Sequence, residues 1–121
     1  MATILVIEDD DQIRTMLRQA LELEGYRVVT ARDGREGTAV FRKRPADLVI
    51  TDMVMPRKDG METIMDLRLE FPNVKVIAIS GGGRVGPESY LDVAAGFGAA
   101  RVFSKPFEIS KLLDGVREIL S

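Results

Sequence analysis

The chain contains no cysteine and no histidine. Without cysteine, disulfides and thiolate metal sites are excluded. Without histidine, imidazole acid–base chemistry and imidazole metal ligation are excluded. Any general base must then be a carboxylate, a lysine or a tyrosine. No apolar run approaches membrane-spanning length. Met1-Ala2-Thr3 leads straight into a strand pattern and not a signal peptide. A cytoplasmic protein without a membrane partner is the expectation. An excess of charge of one sign is also missing, with 17 Lys and Arg against 19 Asp and Glu and a net charge of −2. That balance gives no electrostatic case for direct nucleic-acid binding. What is present is 121 residues, 45% hydrophobic and 30% charged. This length suits one domain over residues 1–121, and the composition can bury a core and stay in solution.

One stretch organises the rest. In Asp47-Leu-Val-Ile-Thr-Asp52 an apolar run ends abruptly at Thr51 and Asp52, and Pro56 and Asp59-Gly60 follow. Short apolar runs bounded by turn signals read as buried parallel strands. Asp52 is therefore expected at the carboxyl end of a central strand, the edge where open α/β sheets bind ligands. The plainer reading is that Asp52 only caps a turn.

The remaining segments alternate. Thr3 to Ile7 reads as a buried strand, ending in Glu8-Asp9-Asp10-Asp11, of which Asp10 or Asp11 can cap a helix. Ile13, Met16, Leu17, Ala20 and Leu21 share one helical face, and Gly25 stops that helix. Tyr26 to Ala31 reads as a strand, Asp33-Gly34 as a turn. A helix follows through about Phe41, with a weaker face in Gly37, Val40 and Phe41 and its end marked by Pro45. A helix over about Met61 to Glu70 has Met61, Ile64, Met65 and Leu67 apolar. Val74 to Ser80 is a fourth strand, followed by a Gly81-Gly82-Gly83 loop. Pro87 opens a helix ending near Gly98. Ala100 to Ser104 is the fifth strand. The last helix carries Ile109, Leu112, Leu113, Val116, Ile119 and Leu120. Five strands alternating with five helices predict an α/β fold, a five-stranded parallel sheet doubly wound by helices on both faces.

Strand ends then converge. The first ends at Glu8-Asp9, the third at Asp52, the fourth at Ser80, the fifth at Ser104-Lys105. Parallel strands put these groups on one edge. Two like charges 4 Å apart repel by roughly 4 kcal/mol at an effective dielectric of 20. Three carboxylates therefore need counter-charge, and Lys105 supplies one. An all-oxygen cluster favours Mg²⁺ together with phosphate oxygens. A carboxylate there can attack phosphorus and become an aspartyl phosphate. Taken singly, each group has an ordinary use: Glu8 to Asp11 as a solvated capping run, Lys105 as a turn lysine, Ser80 as a strand-end hydroxyl. Their joint placement is the signal.

These motifs resemble the receiver domain of two-component response regulators, the CheY-like domain. The resemblance rests on Ile4-Leu-Val-Ile-Glu-Asp-Asp10, Asp47 to Asp52, Met55-Pro56, Asp59-Gly60, Ser80 and Lys105-Pro106-Phe107, and covers essentially the whole chain. It implies a flavodoxin-like (βα)5 fold with strand order 2-1-3-4-5. It implies that Asp52 is the phosphoacceptor and Lys105 the family's lysine. Ser80 would be the hydroxyl that reaches the phosphoryl group. Asp9, Asp52 and the Val54 backbone carbonyl would hold Mg²⁺ or Mn²⁺, with Glu8 acting through water. The Lys105-Pro106 peptide would be cis. The partners implied are a sensor histidine kinase or a histidine phosphotransfer protein, and a downstream protein target. Lacking histidine, the chain cannot be the donor. The expectation is a signalling switch and not an enzyme, either stand-alone or excised from a larger protein. In this family the segment between Pro87 and Gly98, the fifth strand and the last helix usually meet targets.

Three departures matter. The usual Tyr or Phe of the switch is Val102 here, and strand alternation turns Phe103 to the other face. The span from Ser80 to Lys105 is longer than is common, the extra residues lying in the glycine loop. Val54 and Gly82 stand where polar side chains often orient the attacking water, which predicts slow self-dephosphorylation. Alternatives are a degenerate receiver used as a scaffold and an Mg²⁺-dependent aspartyl-phosphate phosphatase. The phosphatase wants a second Asp where Val54 stands. A flavodoxin-like FMN carrier is opposed by Glu8 to Asp11, which would repel the flavin phosphate. The glycine loop lacks Gly-Lys-Ser/Thr and is no P-loop.

Overall fold

The computed structural model describes residues 1–53, 60–80 and 99–121. The strands are β1 (Thr3–Ile7), β2 (Arg27–Ala31), β3 (Leu48–Asp52), β4 (Val76–Ser80) and β5 (Arg101–Ser104). The helices among the described residues are α1 (Asp11–Leu23), α2 (Gly34–Lys43), α3 (Gly60–Glu70) and α4 (Ile109–Leu120). All strand pairs are parallel, in the order β2-β1-β3-β4-β5. The expected sheet and strand order are therefore observed. The glycine loop and the helix expected over Pro87 to Gly98 lie outside the described residues.

Alternation along the strands sorts side chains into two apolar layers. Ile4, Val6, Leu48, Ile50, Ile77 and Ile79 pack with Leu17 and Leu21 of α1 and Leu112 and Val116 of α4. Leu5, Ile7, Val49, Val76 and Ala78 pack with Phe41 of α2 and Ile64 and Leu67 of α3. Because both faces are covered, β3 is buried at every residue. That is why Leu48-Val49-Ile50 runs apolar without alternating.

Local signals explain the element ends. Asp10 caps α1, accepting from the backbone N–H of Gln12 and Ile13. At the other end Gly25 takes φ 94°. Its N–H donates to the Glu22 carbonyl, and the Tyr26 N–H donates to the Leu21 carbonyl. This is the Schellman pattern, which favours glycine at the left-handed position. Asp33 does more than turn the chain: it caps α2 by accepting from the Glu36 N–H. Met16 and Met65, read as members of apolar faces, are 42% and 45% exposed. Met16 sits on the margin of the Leu17–Leu21 seam that α1 buries. On α3 the buried position near the start goes instead to Thr63, with Ile64 and Leu67.

Two glycines mark close approaches. A Cβ on Gly37 would lie 2.4 Å from Ile7 Cδ1, the tip of a side chain. A Cβ on Gly60 would lie 2.1 Å from the Asp52 carbonyl oxygen and 2.7 Å from Met53 Cα, both backbone. Alanine in a helix gains about 1 kcal/mol over glycine. At Gly37 that gain offsets part of the clash, because Ile7 can change rotamer. At Gly60 the strand end itself must move, at a cost of about 1–3 kcal/mol or more. Urea denaturation should therefore rank Gly60→Ala as clearly less stable than Gly37→Ala. The reverse ranking would contradict this packing account.

Candidate functional site

The carboxyl ends of the strands build the site. β1 and β3 pair with Ile7 opposite Thr51. The next residues are Glu8 and Asp52, and by alternation both side chains leave the sheet on the α1 and α4 side. They are 1% and 4% exposed. Asp9 stands outward and exposed. Carboxylate oxygens of Glu8, Asp9 and Asp52 nevertheless lie within 4.8 Å of one another. The Gly60 N–H donates to the Met53 carbonyl, so α3 begins against the backbone that carries Asp52.

Lys105 follows β5 directly. Its Nζ lies 2.9 Å from Asp52 Oδ2 and 2.8 Å from Glu8 Oε1. The Asp52 contact is a hydrogen bond. The Glu8 contact is an ion pair away from the hydrogen-bond direction, and Glu8 Oε1 has no hydrogen-bond partner among the described residues. Glu8 Oε2 accepts a long bond, 3.4 Å, from the Asp10 N–H. The Lys105-Pro106 peptide is cis, as the resemblance implied.

These surroundings displace two titrations. Burial, then the Asp52 carboxylate, push the Glu8 carboxyl from 4.5 up to about 8, with Lys105 opposing them. Burial works against the Lys105 charge, but the contacts with Glu8 and Asp52 outweigh it and raise its pKa above the ordinary 10.5. Lys105 therefore stays charged, yet one ammonium does not satisfy three carboxylates. The buried Glu8 Oε1, ion-paired with Lys105 but without a hydrogen bond among the described residues, stands beside two further carboxylates, a set that fits a hard divalent cation with oxygen ligands.

The acidic run after β1 is thus divided by task. Glu8 and Asp9 face the crevice, Asp10 caps α1, and Asp11 pairs with Arg14. Ser80 ends β4 opposite Ser104. The Ser80 side chain, Val54 and Gly82 lie outside the described residues. Val102 packs in the layer with Ala78 and Met53. Phe103 lies in the opposite layer, its ring 6.5 Å from that of Phe107. Phe103 therefore faces away from the Val102 layer, as alternation predicts.

Sequence reasoning missed two residues of the site. Gly60 appears in the sequence as a turn signal and as part of a family motif, without the reason that the structure gives: its lack of a Cβ admits the Asp52 carbonyl. Arg14 was not singled out, although it sits three residues after Asp11, an interacting spacing on a helix. It also donates to the Glu8 backbone carbonyl at 3.0 Å, a contact no sequence pattern displays.

No described helix is long and apolar enough to cross a membrane. Residues 4–117 match the response regulator receiver domain. Sporulation initiation phosphotransferase F of Bacillus subtilis is 30% identical over 97% of this chain and 92% of its own length. Response regulator MprA of Mycolicibacterium vanbaalenii is 34% identical, and this chain spans 49% of it. The chain thus covers nearly all of some relatives and about half of others. Among solved structures, a response regulator receiver domain protein from Clostridium thermocellum has a TM-score of 0.90 at 30% identity, covering 98% of this chain and 94% of that one. Chemotaxis protein CheY4 of Vibrio cholerae has a TM-score of 0.86 at 30% identity, covering 98% of both chains. Strand order, acidic edge and sequence relatives agree, and the chain belongs to the response regulator receiver domain family.

Proposed function

We propose that residues 1–121 form one receiver unit, a cytoplasmic switch controlled by phosphorylation of Asp52. The phosphoryl group comes from a phosphohistidine on a sensor histidine kinase or a histidine phosphotransfer protein. The observation that carries this reading is the Lys105 ammonium set between the buried carboxylates of Asp52 and Glu8, with Asp9 beside them.

Asp52 acts as nucleophile. One carboxylate oxygen bonds to phosphorus as the bond from phosphorus to the donor nitrogen breaks, leaving an aspartyl phosphate and a histidine on the partner. Its other oxygen is held by Lys105, which fixes the attack direction and then meets the added negative charge. Asp9, Asp52, the Val54 carbonyl and, through water, Glu8 would hold Mg²⁺ or Mn²⁺. When bound, that cation supplies positive charge to the phosphoryl oxygens. The Ser80 hydroxyl reaches the phosphoryl group after transfer. With Val102 in place of an aromatic residue, the output is read through β5 and α4 without a buried ring at that position. Altered affinity for a downstream protein is the result.

Incubation with acetyl phosphate and Mg²⁺ is expected to add one phosphoryl group to the intact mass, dependent on Mg²⁺ and absent in Asp52→Asn. No added mass would favour the scaffold reading or a receiver that only its own kinase phosphorylates. Titration with BeF₃⁻ followed by NMR separates these two. The phosphorylated protein should lose its label over minutes or longer, because Val54 and Gly82 offer no polar side chain to orient water. A half-life of seconds would sink that expectation.

The Glu8 titration sets a pH dependence. Its folded pKa, about 8, lies above the ordinary 4.5. Between these values the folded state holds a proton that the unfolded chain has released. Stability therefore falls as pH rises through this window and is unaffected by Glu8 below it. Metal-free Glu8→Gln lacks that fall. It should be more stable than the parent chain at pH 8, with the difference shrinking towards pH 5. Urea denaturation at both pH values checks this, and a gap independent of pH would contradict it.

A further inference from the structure

We propose that Arg14 is a positioning residue for the divalent cation, acting by setting the peptide plane between Glu8 and Asp9; this rests on the metal-dependent reading above. Glu8 ends the β1 ladder: its N–H donates to the Ala31 carbonyl of β2 at 3.0 Å. Its own carbonyl accepts from Arg14 Nη1 at 3.0 Å. That carbonyl belongs to the planar unit joining Glu8 to Asp9. Fixing its direction fixes where the Asp9 Cα, and so its carboxylate, leaves the strand.

Three further observations make Arg14 a brace and not a passing surface contact. Its guanidinium forks, one nitrogen on the Glu8 carbonyl and the other on the Asp11 carboxylate. Its side chain is only 17% exposed, against 81% for Asp11. The backbone of Arg14 is itself anchored, its N–H donating to the Asp10 carbonyl at 2.9 Å in the first turn of α1. The fork therefore ties the end of β1 to the start of α1 across Asp9, whose carboxylate lies near that of Asp52, and Asp10, which caps α1. A planar fork holds two acceptors in fixed directions, which a lysine on a flexible stem does not.

Groups that orient metal ligands without touching the metal typically change affinity by about 10- to 100-fold when removed. Arg14→Ala is expected to weaken Mn²⁺ binding by about that factor, read from the free Mn²⁺ signal in electron paramagnetic resonance. Arg14→Lys, which keeps the charge, should recover only a small part of the loss. Labelling by acetyl phosphate should show the same split. The Mg²⁺ concentration for half-maximal rate rises, while the rate at saturating Mg²⁺ stays near that of the parent chain. Circular dichroism and thermal melting establish that each variant is folded. Should Arg14→Ala fail to fold, Arg14→Lys carries the test alone. Unchanged Mn²⁺ affinity in a folded variant would overturn the assignment of Arg14. So would full recovery by lysine, which would make the effect one of charge. A parent chain that binds no Mn²⁺ would instead overturn the metal-dependent reading from which it follows.

Discussion

The site turns on one ammonium group between two buried carboxylates. Glu8 and Asp52 are adjacent because β1 and β3 run parallel in a register that pairs the residues just before them. Nothing in the apolar layers beneath would choose to hold two negative charges together. Lys105 makes the pairing tolerable, and in doing so links the end of β5 to the ends of β1 and β3. The compensation is incomplete: burial and then the Asp52 carboxylate outweigh Lys105 and raise the Glu8 pKa. In the proposed function, that residual imbalance is what a phosphoryl group with its cation would exploit, the phosphoryl group bringing oxygens for Lys105 and the cation bringing charge for the carboxylates.

Much of this arrangement is legible in the sequence because it rests on periodicity. Continuous apolar runs mark the buried strands, and polar residues at their ends mark the edge. Alternation alone separates Val102 from Phe103. What stays hidden depends on tertiary distance. The division of labour within Glu8 to Asp11 follows from the helix start, which the sequence narrows only to Asp10 or Asp11. The exposure of Met16 and Met65 follows from which part of each helix seam meets the sheet. The contact of Arg14 with the Glu8 carbonyl crosses from helix to strand end and leaves no periodic trace. Gly60 is visible as a breaker, but its reason, an oxygen 2.1 Å from where a Cβ would stand, is not.

Backbone groups thus shape this site as much as charged side chains do. The Glu8 carbonyl is an acceptor for Arg14, and the Asp52 carbonyl is the surface against which α3 begins. Thr51, fully buried, donates its hydroxyl to that same Asp52 carbonyl at 3.1 Å. The acidic residues are carried on peptide units that are already engaged, so little ordering remains when a ligand arrives.

The register of the sheet also sets a length. Asp52 pairs with Ile79, and Ile79 with Phe103. Lys105 is therefore two residues further along than the row that holds Asp52, a rise of about 6.6 Å at 3.3 Å per residue. The ammonium reaches Asp52 only because a lysine carries its charge on a four-carbon stem that can lean back over this gap. The crevice is in this sense gauged by one side chain. The offset between strands fixes how far the cation must travel, and the stem is the ruler that matches it.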